Sequence, residues 1–278
     1  MIKRDYYSVR TGKISPDNEV NFEVLKKLFL VIYKKLDADG YFQKYFGIDC
    51  TDGFIEGELG SEIDAIVFVN LRKNNLYPVI KNLDNYTEDD FFDMVEFLHD
   101  HCSKGLDGTY HSWNQCGYHY ENFNDIAGQK HFREVMNPIL KEYKNGYEIS
   151  EKGEILSLPD SGLSTLIEAD VPSKDDENVV QRVNAAITKF RRHSSTLDDR
   201  RSAVRELADI LEFLKRDIKI VLNRKDEIDL FNIANNFGIR HHNTDQQTEY
   251  DKAIWYSWIF YHYLATIHTV IRLKNKKQ

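Results

Sequence analysis

From about residue 178 to the end of the chain, apolar residues recur at spacings of three and four, and few folds other than packed helices can use such a pattern. One segment covers about 178–192. A second starts behind the capping residue Thr196 and runs through Val204, Leu207, Leu211 and Leu214. A third covers about 226–237 with Leu230, Ile233, Ala234 and Phe237 on one face, and an aromatic fourth covers about 250–274. Four such helices with short connections imply an antiparallel bundle. With 41% hydrophobic and 29% charged residues, the chain has the composition of a globular protein. No run approaches the roughly 18 apolar residues a membrane span needs, and the opening residues lack a secretion signal, so no membrane partner and a cytoplasmic location are expected.

The preceding part mixes elements. Phe22, Leu25, Leu28, Phe29, Ile32 and Leu36 predict a helix over about 21–36, closed by Asp37-Ala38-Asp39-Gly40. Thr87 is placed to cap a second helix carrying Phe91, Phe92, Val95 and Leu98. Between them, Ala65-Ile66-Val67-Phe68-Val69 fits a buried strand or a helix segment equally well. Residues 105–128, rich in Gly, Asn, Tyr and His, read as an ordered loop. Helix returns near His131, with a kink or restart expected at Pro138 and an end at Asn145-Gly146; residues 147–149 and 154–156 then flank a hairpin turn. The Pro-, Ser-, Gly- and Asp-rich stretch that follows reads as a linker. The expected organisation is therefore mainly α: an α+β domain with a small hairpin over 1–158, a linker over 159–177, and a helical bundle over 178–278.

Charge divides unevenly along this plan. Residues 1–177 hold 19 Lys and Arg against 33 Asp and Glu, whereas 178–278 hold 18 against 12, so only the later part suits a polyanion. On the third bundle helix Asp229, Asn232 and Asn236 form a polar stripe that continues to Arg240 and Asn243. It ends in Arg240-His241-His242-Asn243, just past Gly238. An arginine beside two histidines can hold a phosphodiester, take a proton from a ribose 2′-hydroxyl and return one to the leaving oxygen without a metal. An exposed helix end whose cations offset the helix dipole would show the same residues. Arg191-Arg192-His193 could line the same groove, or solvate another helix end.

The last hundred residues resemble HEPN domains of AbiJ-type abortive-infection proteins. The resemblance is carried by Ile233-Ala234-Asn235-Asn236-Phe237-Gly238-Ile239-Arg240-His241-His242-Asn243 and the aromatic final helix. It implies a small helical bundle that dimerises and acts as a metal-independent endoribonuclease in antiphage or toxin systems, with no cofactor. The family motif places a polar residue after an arginine, and a histidine four to six residues beyond that arginine. Here Arg240 and His241 match, while Asp245, Gln246 and Gln247 stand at the later places. The resemblance therefore gives Arg240 the phosphate and His241 or His242 the proton transfer, with His262 as a further candidate. Asn236, Asn243, Arg191 and Arg192 would contact RNA, tRNA included, across a homodimer built on the bundle. Loss of the later histidine leaves a noncatalytic module, binding RNA or another protein, as the alternative.

A second constellation lies upstream. His99, His101, Cys102, His111, Cys116 and His119 fall within 21 residues. His101 or Cys102 together with Cys116 and His119 could hold a tetrahedral zinc, Cys116-x-x-His119 being the one compact chelating interval. The competing reading is a set of packed or hydrogen-bonded histidines with no metal. The odd count of three cysteines, Cys50, Cys102 and Cys116, argues against a disulfide framework.

Overall fold

In the computed structural model, the structure describes residues 6–13, 20–113, 116–159, 162–239 and 250–277. It is mainly helical, with 61% helix and 11% strand, and divides into two compact units, 1–155 and 156–278.

In the first unit, after a single helical turn α1 (Tyr7–Arg10), helix α2 (Phe22–Ala38) starts where the Asn21 side chain accepts the Val24 amide. The spacing predicts its inward face only in part: Leu25, Phe29 and Leu36 are buried as expected, Tyr33 joins them, and Leu28 is exposed. A short helix α3 (Gln43–Phe46) precedes the hairpin of β1 (Ile48–Cys50) and β2 (Gly53–Ile55). The ambiguous segment is helix α4 (Ile63–Leu71), which buries only Ile63 and Val67, leaving Phe68 and Val69 exposed. Helix α5 (Val79–Asn82) leads to α6 (Glu88–Asp100), whose start is a capping box: Thr87 and Asp90 each accept the other's backbone N–H.

The segment expected to be a loop is instead two nested antiparallel pairs. Strand β3 (Lys104–Leu106) pairs with β6 (Asn122–Asn124), and β4 (Thr109–His111) pairs with β5 (Gly117–His119). Strands of three residues, mostly exposed, carry too little alternation for a sequence pattern to show. Asn124 then caps α7 (Asp125–Leu140), which begins before His131 and runs through Pro138 in its last turn. Pro138 has no N–H for the Glu134 carbonyl four residues back, and the helix ends two residues later. Strands β7 (Tyr147–Ile149) and β8 (Ile155–Ser157) form the expected hairpin. The core is the meeting of α2, α6 and α7: Phe29 and Phe91 rings lie 5.1 Å apart edge to face, and Phe132, Met136 and Leu140 are fully buried. Each such buried side chain contributes about 1.5–3 kcal/mol.

In the second unit the short helix α8 (Ser164–Ile167) buries Ile167 in the core, so part of the segment expected as a linker packs here. A π-helical turn at Asp176–Val180 leads into α9 (Gln181–Arg191), followed by α10 (Leu197–Phe213), α11 (Lys215–Val221), α12 (Arg224–Asn236) and α13 (Lys252–Lys277). Helix α11 was not expected. Leu214 alone separates it from α10, within what reads as one connection. The core joins Val183 and Phe190 to Val204, Leu207, Leu211, Ile259, Phe260, Tyr263 and Ile267, with the Phe190 and Phe260 rings stacked at 4.0 Å. The acidic stretch 160–177 belongs to this unit, which therefore holds 19 Lys and Arg against 18 Asp and Glu. The basic excess read from sequence disappears with it.

Candidate metal centre

Cys50 is the last residue of β1, and Cys50-Thr51-Asp52-Gly53 turns the chain into β2, with Cys50 opposite Gly53. Gly53 has a φ of 127°, a conformation few other residues adopt. The turn brings the Asp52 amide to 3.4 Å from the Cys50 sulfur, which accepts its N–H and is held in place by it. In the β4–β5 pair, Thr109 lies opposite His119 and His111 opposite Gly117. His111 and His119 are thus diagonal neighbours on one face, while Tyr110 and Tyr118 meet on the other with rings 5.1 Å apart. Cys116 stands one residue before β5.

These elements bring four side chains together. The Cys50 sulfur is 3.4 Å from His111 Nδ1, and the Cys116 sulfur is 3.0 Å from His119 Nε2. The ligand atoms of Cys50, His111, Cys116 and His119 all lie within 4.8 Å of one another. Zinc bonds of about 2.3 Å to sulfur and 2.0–2.1 Å to nitrogen require tetrahedral edges of roughly 3.3–3.8 Å, so small side-chain adjustments would close the shell. The other His111 nitrogen, Nε2, is 3.5 Å from the Asp52 carboxylate, the outer partner that metal-bound imidazoles commonly have. Partial burial, the neighbouring Cys50 sulfur and the Asp52 carboxylate push the Cys116 thiol above its ordinary value, while the Thr51 amide opposes them. Gathering two sulfurs and a carboxylate is costly for protein alone, and a divalent cation relieves that cost.

Of the residues expected from sequence, Cys116 and His119 belong to this centre, and His101 and Cys102 do not. Cys102 is fully buried, 3.5 Å from the Gly128 carbonyl, and burial followed by the Asp125 charge pushes its thiol up to about 12. His101 Nδ1 lies 2.7 Å from the Phe97 carbonyl, and its ring packs on Phe97. His99 is buried between Asp100 and Arg133, with Nδ1 and Nε2 at 3.2 and 3.0 Å. His111 replaces them from within the noted cluster, and Cys50 comes from 61 residues upstream of it. The available signal for Cys50 was local: a cysteine followed by a tight turn whose second amide can reach the sulfur.

In the second unit, Asp229, Asn232 and Asn236 are exposed along α12. The helix ends as expected at Gly238, φ 63°, with Gly238 N–H on the Asn235 carbonyl and Ile239 N–H on that of Ala234, a Schellman closure. Ile239 is buried, and the Tyr250 hydroxyl donates to the Phe237 carbonyl at 2.9 Å. Arg240, His241, His242 and Asn243 lie outside the described residues. Arg191 is buried, 8% exposed, and its Nε donates to the Ser157 carbonyl at 3.0 Å; Arg192 is exposed. His262 stacks on Trp258 at 5.4 Å, and burial lowers its pKa. It borders a groove of about 480 Å³ with Asp226 and Asp229.

Among the described residues no helix is long and apolar enough to cross a membrane. Comparisons with protein-family models, curated proteins and solved structures find no match for this chain.

Proposed function

We propose that the first unit is a zinc-binding module in which Cys50, His111, Cys116 and His119 hold one structural ion. The observation that carries this reading is the convergence of four ligand atoms, from two hairpins distant in sequence, within 4.8 Å. Two thiolates and two imidazoles suit zinc, which is borderline-soft and accepts a tetrahedral shell. Four protein ligands leave no open position for substrate, so the ion's work is to clip the β1–β2 hairpin to the β4–β5 hairpin, both too small to be stable alone. Metal analysis of the purified full-length chain tests it. About one zinc per chain is expected, falling to background in Cys50→Ala and His119→Ala. A content near zero in the natural protein overturns the assignment.

A second reading concerns the other unit: a HEPN-type, metal-independent endoribonuclease of an antiphage or toxin-like system, acting on RNA as a homodimer. Its supports are the resemblance, the exposed polar stripe Asp229, Asn232 and Asn236, and a helix exit at Gly238 that leads directly into Arg240. Arg240 would hold the phosphate and His241 or His242 transfer protons, with His262 on the groove beside Asp229 as the further base. The nearly even charge of the unit argues against strong general affinity for RNA, and the noncatalytic alternative is an RNA- or protein-binding module. Total RNA and tRNA incubated in EDTA with the natural protein, beside an Arg240→Ala, His241→Ala, His242→Ala variant, decides between them. Cleavage by the natural protein alone supports the enzyme; no cleavage by either leaves binding.

A further inference from the structure

The segments that assemble the candidate metal centre share one electrostatic sign. Residues 45–71 and 105–129 contain nine Asp and Glu and no Lys or Arg. Between β2 and β4 they enclose a cleft of about 410 Å³ that also reaches Cys50 and His119 and has Asp52 as its one acidic side chain. Its walls are aromatic and apolar where a folded surface would ordinarily hide such groups: Phe54 is 54% exposed, Ile55 51% and Tyr110 57%. Each flanking strand belongs to a two-stranded sheet, β2 pairing with β1 and β4 with β5, so each has a second edge not paired with another strand among the described residues.

We propose that this cleft docks an extended, arginine- or lysine-rich peptide segment of a partner protein. Unpaired strand edges offer backbone N–H and C=O groups to an added strand. The Phe54 and Tyr110 rings offer faces to a guanidinium or ammonium, and Asp52 offers its carboxylate. A nucleic-acid strand could stack on the same rings, but its phosphates would meet the Asp52 carboxylate and no Lys or Arg among the residues that line the cleft. The proposal rests on the zinc reading, because Cys50 beside β2 and His111 at the end of β4 are 3.4 Å apart, and an ion held by both fixes the cleft width.

The test uses full-length, zinc-loaded protein and three labelled probes: an (Arg-Thr)5 peptide, a (Glu-Thr)5 peptide and a ten-nucleotide oligouridine, read by fluorescence anisotropy near 0.1 M salt. Saturable binding of the arginine peptide alone is expected, weakened about tenfold or more by Phe54→Ala with Tyr110→Ala, which leaves the net charge unchanged. Equal binding by that double variant would reduce the effect to general charge attraction and overturn the proposal, as would preferred binding of oligouridine. Circular dichroism confirms that the variant folds; both side chains are exposed, so it should. Zinc content separates the two readings. Zinc present without peptide binding sinks the docking proposal alone, whereas ring-dependent binding by protein that takes up no zinc sinks the metal assignment and supports the cleft.

Discussion

His119 Nε2, at the end of β5, lies 3.0 Å from the sulfur of Cys116, the residue just before that strand, so a Cys-x-x-His interval aims two ligands at one point. Cys50 and His111 approach from the other side at 3.4 Å, and Cys102 is held elsewhere against Gly128. The three cysteines should therefore divide two to one. Cys50→Ala and Cys116→Ala lose the zinc, while Cys102→Ala retains it and shows only the modest cost of a trimmed core. Retention of zinc in Cys116→Ala, or its loss in Cys102→Ala, contradicts the ligand set.

Zinc that binds only the folded unit must also stabilise it. At free zinc about one hundred times its dissociation constant the gain is about 2.7 kcal/mol. Thermal melts of apo and zinc-loaded protein should show one transition rising and a second unmoved, since the ligands all belong to residues 1–155. Two transitions shifting together would mean that the units unfold as one.

Gly128 tests how α7 is seated. Alanine in a helix is normally better than glycine by about 1 kcal/mol. Here an added Cβ would lie 2.4 Å from Ser103 Cα and 2.6 Å from the Lys104 amide, backbone atoms that cannot step aside. Gly128→Ala should therefore destabilise the first unit by about 1–3 kcal/mol, reversing the usual sign. A raised melting temperature would show that the Ser103 backbone yields.

What the sequence made legible follows from how physical signals scale with element length. Long amphipathic helices such as α2 and α10 show over several turns, and caps such as Thr87 and Thr196 are local. Strands β3 to β6 are three residues each, and their pairing depends on glycines that admit the Tyr120 ring: a Cβ on Gly105 would meet it at 2.3 Å. Half of the metal centre was visible because Cys116 and His119 are near in sequence. Cys50 was not, since nothing in its own neighbourhood says which distant hairpin will face it. Arg191 shows the converse error. A surface cluster is the natural reading of Arg191-Arg192-His193, yet Arg191 is drawn inward by the Ser157 carbonyl.

That inward turn gives a prediction about Arg191 itself. Removing a buried charged donor costs about 1.5–3 kcal/mol, against roughly half a kcal/mol for an ordinary surface change. Arg191→Ala should lower the melting temperature of the second unit more than Arg192→Ala does. If the two melts are lowered equally, the Ser157 contact carries little.

The last prediction concerns acid. His268, on α13, is 4% exposed, and neither ring nitrogen has a hydrogen-bond partner among the described residues. Burial, then the nearby Arg272 charge, lowers its pKa below the ordinary imidazole value, and burial alone lowers that of His262. The unfolded chain therefore takes up these protons first as pH falls. Stability of the second unit is complete above about pH 6.5 and declines below it, down to the folded-state values, by at most about 1.4 kcal/mol per pH unit for each histidine. His268→Leu, which keeps the site filled without a titrating group, should remove its share of that slope. Melts of the two proteins at pH 7.5 and 5.5 check this: the variant should lose less stability than the natural protein between those values. Equal losses would mean that His268 is reached by solvent or finds an acceptor, and that the acid sensitivity does not come from it.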